Sequence, residues 1–337
     1  MVGGLTRRTL IAGTTALGPA LVSRPVRAAK YKFAQYHNQA ASTPLHKNLT
    51  AMWQMIAAET GGRVEATVLA ENDKVPGGDP DALKMLISGE IQFFTLMGGI
   101  IGTVVPVAEA QQLPFAFKTA AEAHKAIDGP LGRYIGEEMA AKGMYLFPVA
   151  GFDNGMRQVA SIPRPIVMPS DFGGLTIRVP PGQMMLDTFS AFGAKPITTP
   201  ANRIYDALKT GQVDAQENPL AIIEGFKLYE LVMYISLTNH MWSGFNEMAH
   251  LATWKALPED INAAIERNVA KYVRAQRQDQ AALNAALRED FVKRGLVFNE
   301  VDQAAFRAKL PSVYATWKEK LGSKFWSLVE DEVGKLD

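Results

Sequence analysis

The chain has 337 residues, with 35 basic and 34 acidic side chains, a formal net charge of +1, five histidines and no cysteine. That balance is no footprint for nucleic acid, which calls for a basic domain or stripe, and without cysteine neither disulfides nor thiolate chemistry is available. Core burial alone must hold the fold, and at this length two domains are the default.

In chain order, Thr6-Arg7-Arg8-Thr9-Leu10-Ile11 comes first, a twin-arginine pattern ahead of the small, mostly apolar stretch 10–22. Val26-Arg27-Ala28 fits a small-residue cleavage site. About a dozen apolar residues are too few to span a bilayer, which takes about 20, so residues 1–28 read as an export leader of twin-arginine type. The leader carries four arginines and no acid, and its removal leaves 31 basic and 34 acidic side chains, net −3.

Beyond it, strands and helices alternate, which argues for an α/β architecture. Lys32–Tyr36 reads as a strand, and Pro44–Thr60 as a helix stopped by Gly61-Gly62. Val64–Leu69 alternates as a strand does, Asp81–Ser88 forms a helix stopped by Gly89, and Ile91–Leu96 is a third strand. Gly98-Gly99-Ile100-Ile101-Gly102 lacks the G-x-G-x-x-G spacing and is expected as a turn, not a phosphate loop. Helices over Ala120–Ile127 and Leu131–Lys142 lead to a strand at Met144–Ala150 and then to Phe152-Asp153-Asn154-Gly155-Met156-Arg157-Gln158. Pro258 opens a helical stretch from Glu259 to about Lys293, with Ile261, Ile265, Val269 and Val273 on one face and Gly295 past its end. Thirty-five residues would reach about 50 Å, more than one small domain needs, and a break midway is allowed for. Val313–Leu321 and Phe325–Val333 close the chain as helices.

The chemistry concentrates in two segments. Gly174-Leu175-Thr176-Ile177-Arg178-Val179-Pro180 reads as a buried strand that delivers one arginine, and Gly211–Pro219 follows a helix and ends on the amide of Asn218. A guanidinium between Ile177 and Val179 is costly unless an anion meets it, because it cannot deprotonate. It grips a carboxylate with two parallel hydrogen bonds. A structural ion pair with a nearby acid is the other reading, and local chemistry leaves both open.

These segments, with FSAFGAKPI, YDALKTGQVDAQENPL and KLYELVMYISLTNH in the same order, resemble the substrate-binding proteins of TRAP transporters, the family of the C4-dicarboxylate and sialic acid binders. The similarity runs from about Lys32 to the C-terminus and is densest over Phe152–His240. It implies an α/β, two-lobed periplasmic binding protein fold, type II-like, with a ligand cleft between the lobes and a long helix spanning both. The implied lobes are 30–153 with 244–283, and 154–243 with 284–337. Closure of such lobes on a ligand is a hinge motion.

Matched position by position, Arg178 stands where the family grips a carboxylate, Arg157 matches an assisting arginine, and Asn218 matches an asparagine on the same carboxylate. The bland readings are a surface charge for Arg157 and a cap ahead of Pro219 for Asn218. Asp79, Asn154 and Asn239 are candidate hydroxyl partners; Gln35, Tyr36 and His37 follow the first strand toward the cleft. Trp242 and Phe245 are candidate walls. The sialic acid binders carry an acid where this chain has Met97 and an aromatic where it reads Pro200-Ala201-Asn202-Arg203, so sialic acid is not the expected ligand. One carboxylate and several hydroxyl partners suggest a sugar acid such as a uronate. A C4-dicarboxylate or a small 2-hydroxy or 2-oxo acid remains open.

There is no H-E-x-x-H and no G-x-S-x-G, and His37, His46, His124, His240 and His250 lack metal-ligand spacing. No cofactor, metal or catalytic residue is expected. An exported enzyme using Asp153 or Glu217 as general base is the distant alternative, without a paired nucleophile in sight. The expected protein is a periplasmic receptor, monomeric, that delivers an organic acid to the small and large TRAP membrane subunits.

Overall fold

The computed structural model describes Met1, residues 29–73 and residues 75–336. The leader assigned to residues 1–28 lies, but for Met1, outside the described residues. The strands are β1 Tyr31–His37, β2 Val64–Leu69, β3 Phe93–Met97, β4 Met144–Met156, β5 Gln158–Ser161, β6 Thr176–Val179, β7 Lys195–Thr198, β8 Ala215–Asn218, β9 Tyr234–Ser236, β10 Trp242–His250 and β11 Val297–Asn299. They form two sheets, ordered β2-β1-β3-β10-β4 and β11-β9-β5-β8-β6-β7. In the first, β1 pairs in parallel with β2 and β3, while β10 runs antiparallel to both β3 and β4. In the second, β6 pairs in parallel with β7 and β8. The α/β expectation holds.

Gly98–Ile101, expected as a turn, is instead one short helical turn, wholly buried. A Cβ on Gly98 or Gly99 would collide with the side chains of Gln111 and Gln112, so these glycines admit a close-packed neighbour.

The chain passes from the first sheet to the second at Arg157, the single residue between β4 and β5, and returns through residues 237–241. The two crossings are tied: Arg157 N–H donates to Met241 O at 2.8 Å, and Asn239 N–H donates to Gln158 Oε1 at 3.0 Å. β4 therefore continues well past the expected end at Ala150.

Helix Glu259–Lys293 is unbroken over 35 residues. Its first half buries Ile261, Ile265, Val269 and Val273 in the larger apolar cluster, alongside β4 and helix Pro44–Glu59. Leu287 and Phe291 near its other end belong to a second cluster with Ile204, Leu208, Ile223 and Ile235. At mid-helix Gln276 accepts the Asp153 N–H at 2.8 Å and donates to the Asp153 carbonyl at 2.7 Å, which pins the helix at the crossing where a break was allowed for.

Residues 284–337 are expected with the second lobe, and of the last two helices Pro311–Leu321 packs against both sides, touching helix Gln183–Ala191 and the turn Pro106–Gln112. Ser323–Val333 lies against helices Ala120–Ile127 and Pro130–Ala140, and the Tyr314 hydroxyl donates to the Pro114 carbonyl at 2.5 Å. The reason is apolar burial: Val313, Trp317, Phe325 and Val329 join the larger cluster. Among the described residues no helix is long and apolar enough to cross a membrane.

Candidate ligand-binding site

Alternation along β6 sends Ile177 and Val179 to one face and Arg178 to the other. Arg178 is 2% exposed. Its Nε and Nη2 donate to the Thr199 carbonyl at 2.8 and 2.5 Å. Among the described residues no carboxylate lies within ion-pair distance of this guanidinium. Burial pulls its pKa down to about 9, with the Glu217 charge opposing and Arg157 reinforcing the shift, so it stays charged at neutral pH.

Arg157 is the arginine that takes the structural ion pair. Its Nε and Nη2 meet the Glu217 carboxylate at 2.5 and 2.7 Å, and Nη2 also donates to Glu217 O and Asn218 Oδ1. His240 Nε2 lies 3.1 Å from Glu217 Oε2, and its Nδ1 lies 2.7 Å from the Thr238 hydroxyl. Burial works to raise the Glu217 pKa, but the Arg157 charge and His240 more than offset it, so the shift is downward. Burial lowers His240, against the pull of Glu217, leaving a neutral ring that donates from Nε2. Arg157 thus carries a compensated charge and is held rigidly, with Nη1 turned toward Ser243 Oγ at 3.2 Å.

Six of the candidates singled out from sequence line one cavity: Arg178, Arg157, Asn218, Asn154, Asp79 and Phe245. Asp79 opens helix Asp79–Ser88 and accepts from Asn38 Nδ2 at 2.9 Å and Asn72 Nδ2 at 2.6 Å. Burial raises its pKa, while both amides and the Arg178 charge oppose that shift. Phe245 walls the cavity beside Met97, its cross-strand partner.

The other five candidates sit elsewhere, His37 among them, buried with its Nε2 2.9 Å from His46 Nδ1. Gln35 is buried in the first sheet's core, where its Nε2 donates to Thr95 Oγ1 at 2.9 Å and its Oε1 accepts from Trp53 Nε1 at 3.2 Å. Tyr36 is partly buried and packs against the core cluster, away from the cavity lining. Asn239 sits at φ 42° and binds Gln158, so it shapes the return crossing. Trp242 is folded over Gly244, where a Cβ would come within 2.0 Å of its ring, and its Nε1 donates to Asp153.

Sequence reading missed Asn38 and Gln39, which line the cavity. The signal was present, since ligands of α/β sheets gather beyond the carboxyl ends of strands. β1 runs on to His37, so the two following residues, not Gln35 and Tyr36, reach the cleft. Pro180, Pro200, Ile222 and Phe226 complete its apolar side. Glu217 and Asp153, the candidate bases of the enzyme alternative, are absent from the lining. Among the described residues no group of acids and histidines is placed to hold a metal ion.

Comparison with known proteins adds to this geometry. The sequence pattern of bacterial extracellular solute-binding proteins, family 7 (DctP), matches residues 35–320. The uncharacterized protein y4mM of Sinorhizobium fredii is 34% identical over 242 residues, 71% of this chain but 44% of that protein, so the chain spans less than half of that relative's length. A TRAP periplasmic solute-binding protein from Chromohalobacter salexigens, solved with bound D-glucuronate, superposes with a TM-score of 0.84 at 27% identity, over 90% of this chain and 100% of that one. One from Roseobacter denitrificans, with bound β-D-glucuronate, gives 0.85 at 26% identity, over 91% and 100%.

Proposed function

The chain belongs to the bacterial extracellular solute-binding proteins of family 7, the receptors of TRAP transporters, and from that premise we propose that it captures a sugar acid, best a uronate, in the cleft between its lobes. The observation that carries this reading is Arg178, a buried guanidinium on the cavity wall with no carboxylate in ion-pair distance among the described residues. Such a charge is costly until an anion arrives, and a planar carboxylate fits its fork. The relatives bound to glucuronate support the choice of ligand. Around the anchor, Asn38, Gln39, Asn154 and Asp79 offer partners for ring hydroxyls, while Ile100, Phe226 and Phe245 offer apolar surface to the C–H faces of a sugar.

In this reading Arg157 assists through Nη1 while Glu217 fixes its orientation. The receptor is monomeric and works in the periplasm, with residues 1–28 as its twin-arginine leader, and hands its ligand to the small and large membrane subunits. It performs no chemistry on the ligand. Titrating D-glucuronate into wild type and Arg178→Lys by calorimetry tests the anchor. Lysine keeps the charge but loses the fork, and charge-assisted hydrogen bonds contribute about 1.5–3 kcal/mol each, so affinity should fall by about a hundredfold or more. A folded Arg178→Lys variant that binds within about threefold of wild type would reject the assignment.

A further inference from the structure

The cavity lining holds one cation and one acid that have no ion-pair partner among the described residues. Arg157 is paired with Glu217, which leaves Arg178 as the cationic contact and Asp79 as the anionic one. The hydrogen bonds around Asp79 run in one direction. Gln39 Nε2 donates to Asn38 Oδ1 at 2.9 Å, and Asn38 Nδ2 donates on to Asp79 Oδ2 at 2.9 Å. From the other side Asn72 Nδ2 donates to Asp79 Oδ1 at 2.6 Å. A carboxylate can only accept, so it fixes which way the Asn38 and Asn72 amides face and takes one N–H from each.

What Asp79 itself offers a ligand is acceptor capacity, since each of its oxygens accepts one of these amide hydrogen bonds and keeps a free lone pair. Asn72 stands on residues held in the left-handed region, φ 54° at Glu71 and 51° at Asn72, a conformation that side chains other than glycine's seldom adopt. Its amide meets Asp79 from outside the cavity lining, of which Asn72 is no part.

We infer that Asp79, oriented by Asn38 and Asn72, is the specificity-determining residue that admits hydroxylated monoacids and turns away diacids. Hydroxyl groups donate to this wall and satisfy it. A second ligand carboxylate has no proton to give and meets the like charge of Asp79. This inference rests on the sugar-acid reading of the cleft and adds to it the rule by which the cleft selects.

The test is calorimetry with D-glucuronate, D-gluconate and D-glucarate on wild type and Asp79→Asn. Gluconate and glucarate share a carbon chain and differ in whether C6 is a hydroxymethyl or a carboxylate. Wild type is expected to bind the better monoacid at least about tenfold more tightly than glucarate. Asp79→Asn, with an added N–H donor and no charge, is expected to narrow that ratio to within about threefold, by weakening the monoacids and strengthening glucarate. Circular dichroism confirms that the variant is folded. A variant that weakens all three ligands equally, or a wild type that binds glucarate as well as gluconate, overturns the role of Asp79 alone. Wild type binding none of the three overturns the sugar-acid reading, and this inference falls with it. If Asp79→Asn does not fold, Asn38→Leu, which removes one amide that orients Asp79, must also narrow the ratio or the inference fails.

Discussion

At the scale of single residues, Glu247 is a buried acid with no cation in ion-pair distance among the described residues. Glu247 on β10 is 0% exposed, and its Oε2 accepts from Thr95 Oγ1 at 2.5 Å and, at 3.4 Å, from Gln35 Nε2. Its Oε1 has no partner. Burial raises its pKa from 4.5 to about 8, against the pull of both donors. The folded protein therefore keeps a proton that the unfolded chain releases between those two values. Stability is greatest below the unfolded pKa and falls as pH rises through the window. Glu247→Gln keeps the shape and cannot ionise, so it should match wild type near pH 4.5 and exceed it at pH 8 by up to a few kcal/mol, at about 1.4 kcal/mol per pKa unit. Urea unfolding at the two pH values measures this. A wild-type-to-variant difference that does not change with pH would show that Glu247 titrates normally.

At the scale of elements, the crossing from β4 to β5 does more than connect. Arg157 is the hinge-proximal residue, a cavity-lining residue and half of a buried ion pair at once. Gly155, just before it, adopts φ 100°, and a Cβ there would lie 2.4 Å from Asn284 Nδ2 on the long helix. The amide can swing aside, but the backbone conformation remains strained for any L side chain. Gly155→Ala should cost about 1–3 kcal/mol. Denaturant unfolding checks it, and full wild-type stability would mean that the crossing relaxes freely. The long helix meets the same crossing through Gln276, which satisfies both the N–H and the carbonyl of Asp153. A buried polar side chain in mid-helix is explained by that pairing.

At the scale of the whole molecule, the cavity draws its lining from both sides of the crossings: Asn38, Asp79, Met97 and Phe245 on one, Arg178, Pro200, Asn218 and Phe226 on the other. A ligand that touches both gains contacts only when the two sides approach, so binding energy should drive closure. Small-angle scattering with and without saturating D-glucuronate should give a smaller radius of gyration for the liganded protein. An unchanged radius would count against a hinged cleft. The last two helices bear on this, because Ser323–Val333 packs on helices Ala120–Ile127 and Pro130–Ala140 while Pro311–Leu321 packs on helix Gln183–Ala191, so together they touch both sides.

How far the sequence went is clearest from particular residues. Period-two and one-face patterns fixed most elements, down to β2 at Val64–Leu69 and the helix Glu259–Lys293, because local burial dictates them. Ordered motifs carried the family, and with it the expectation of Arg178, Arg157 and Asn218 as one group. The sequence also posed the question of which arginine would hold an ion pair, but it could not answer it. That depends on β5 and β8 pairing antiparallel with Val159 opposite Glu217, a long-range register that sets Glu217 beside Arg157 and leaves Arg178 without an acid. The same holds for the misses. Gln35, Tyr36, Asn239 and Trp242 lie close in sequence to the cleft, but strand length and crossing geometry turned them into core and scaffold. Chemistry was written in residue types and spacing; which groups are neutralised, and which are left for a ligand, was decided only when distant strands met.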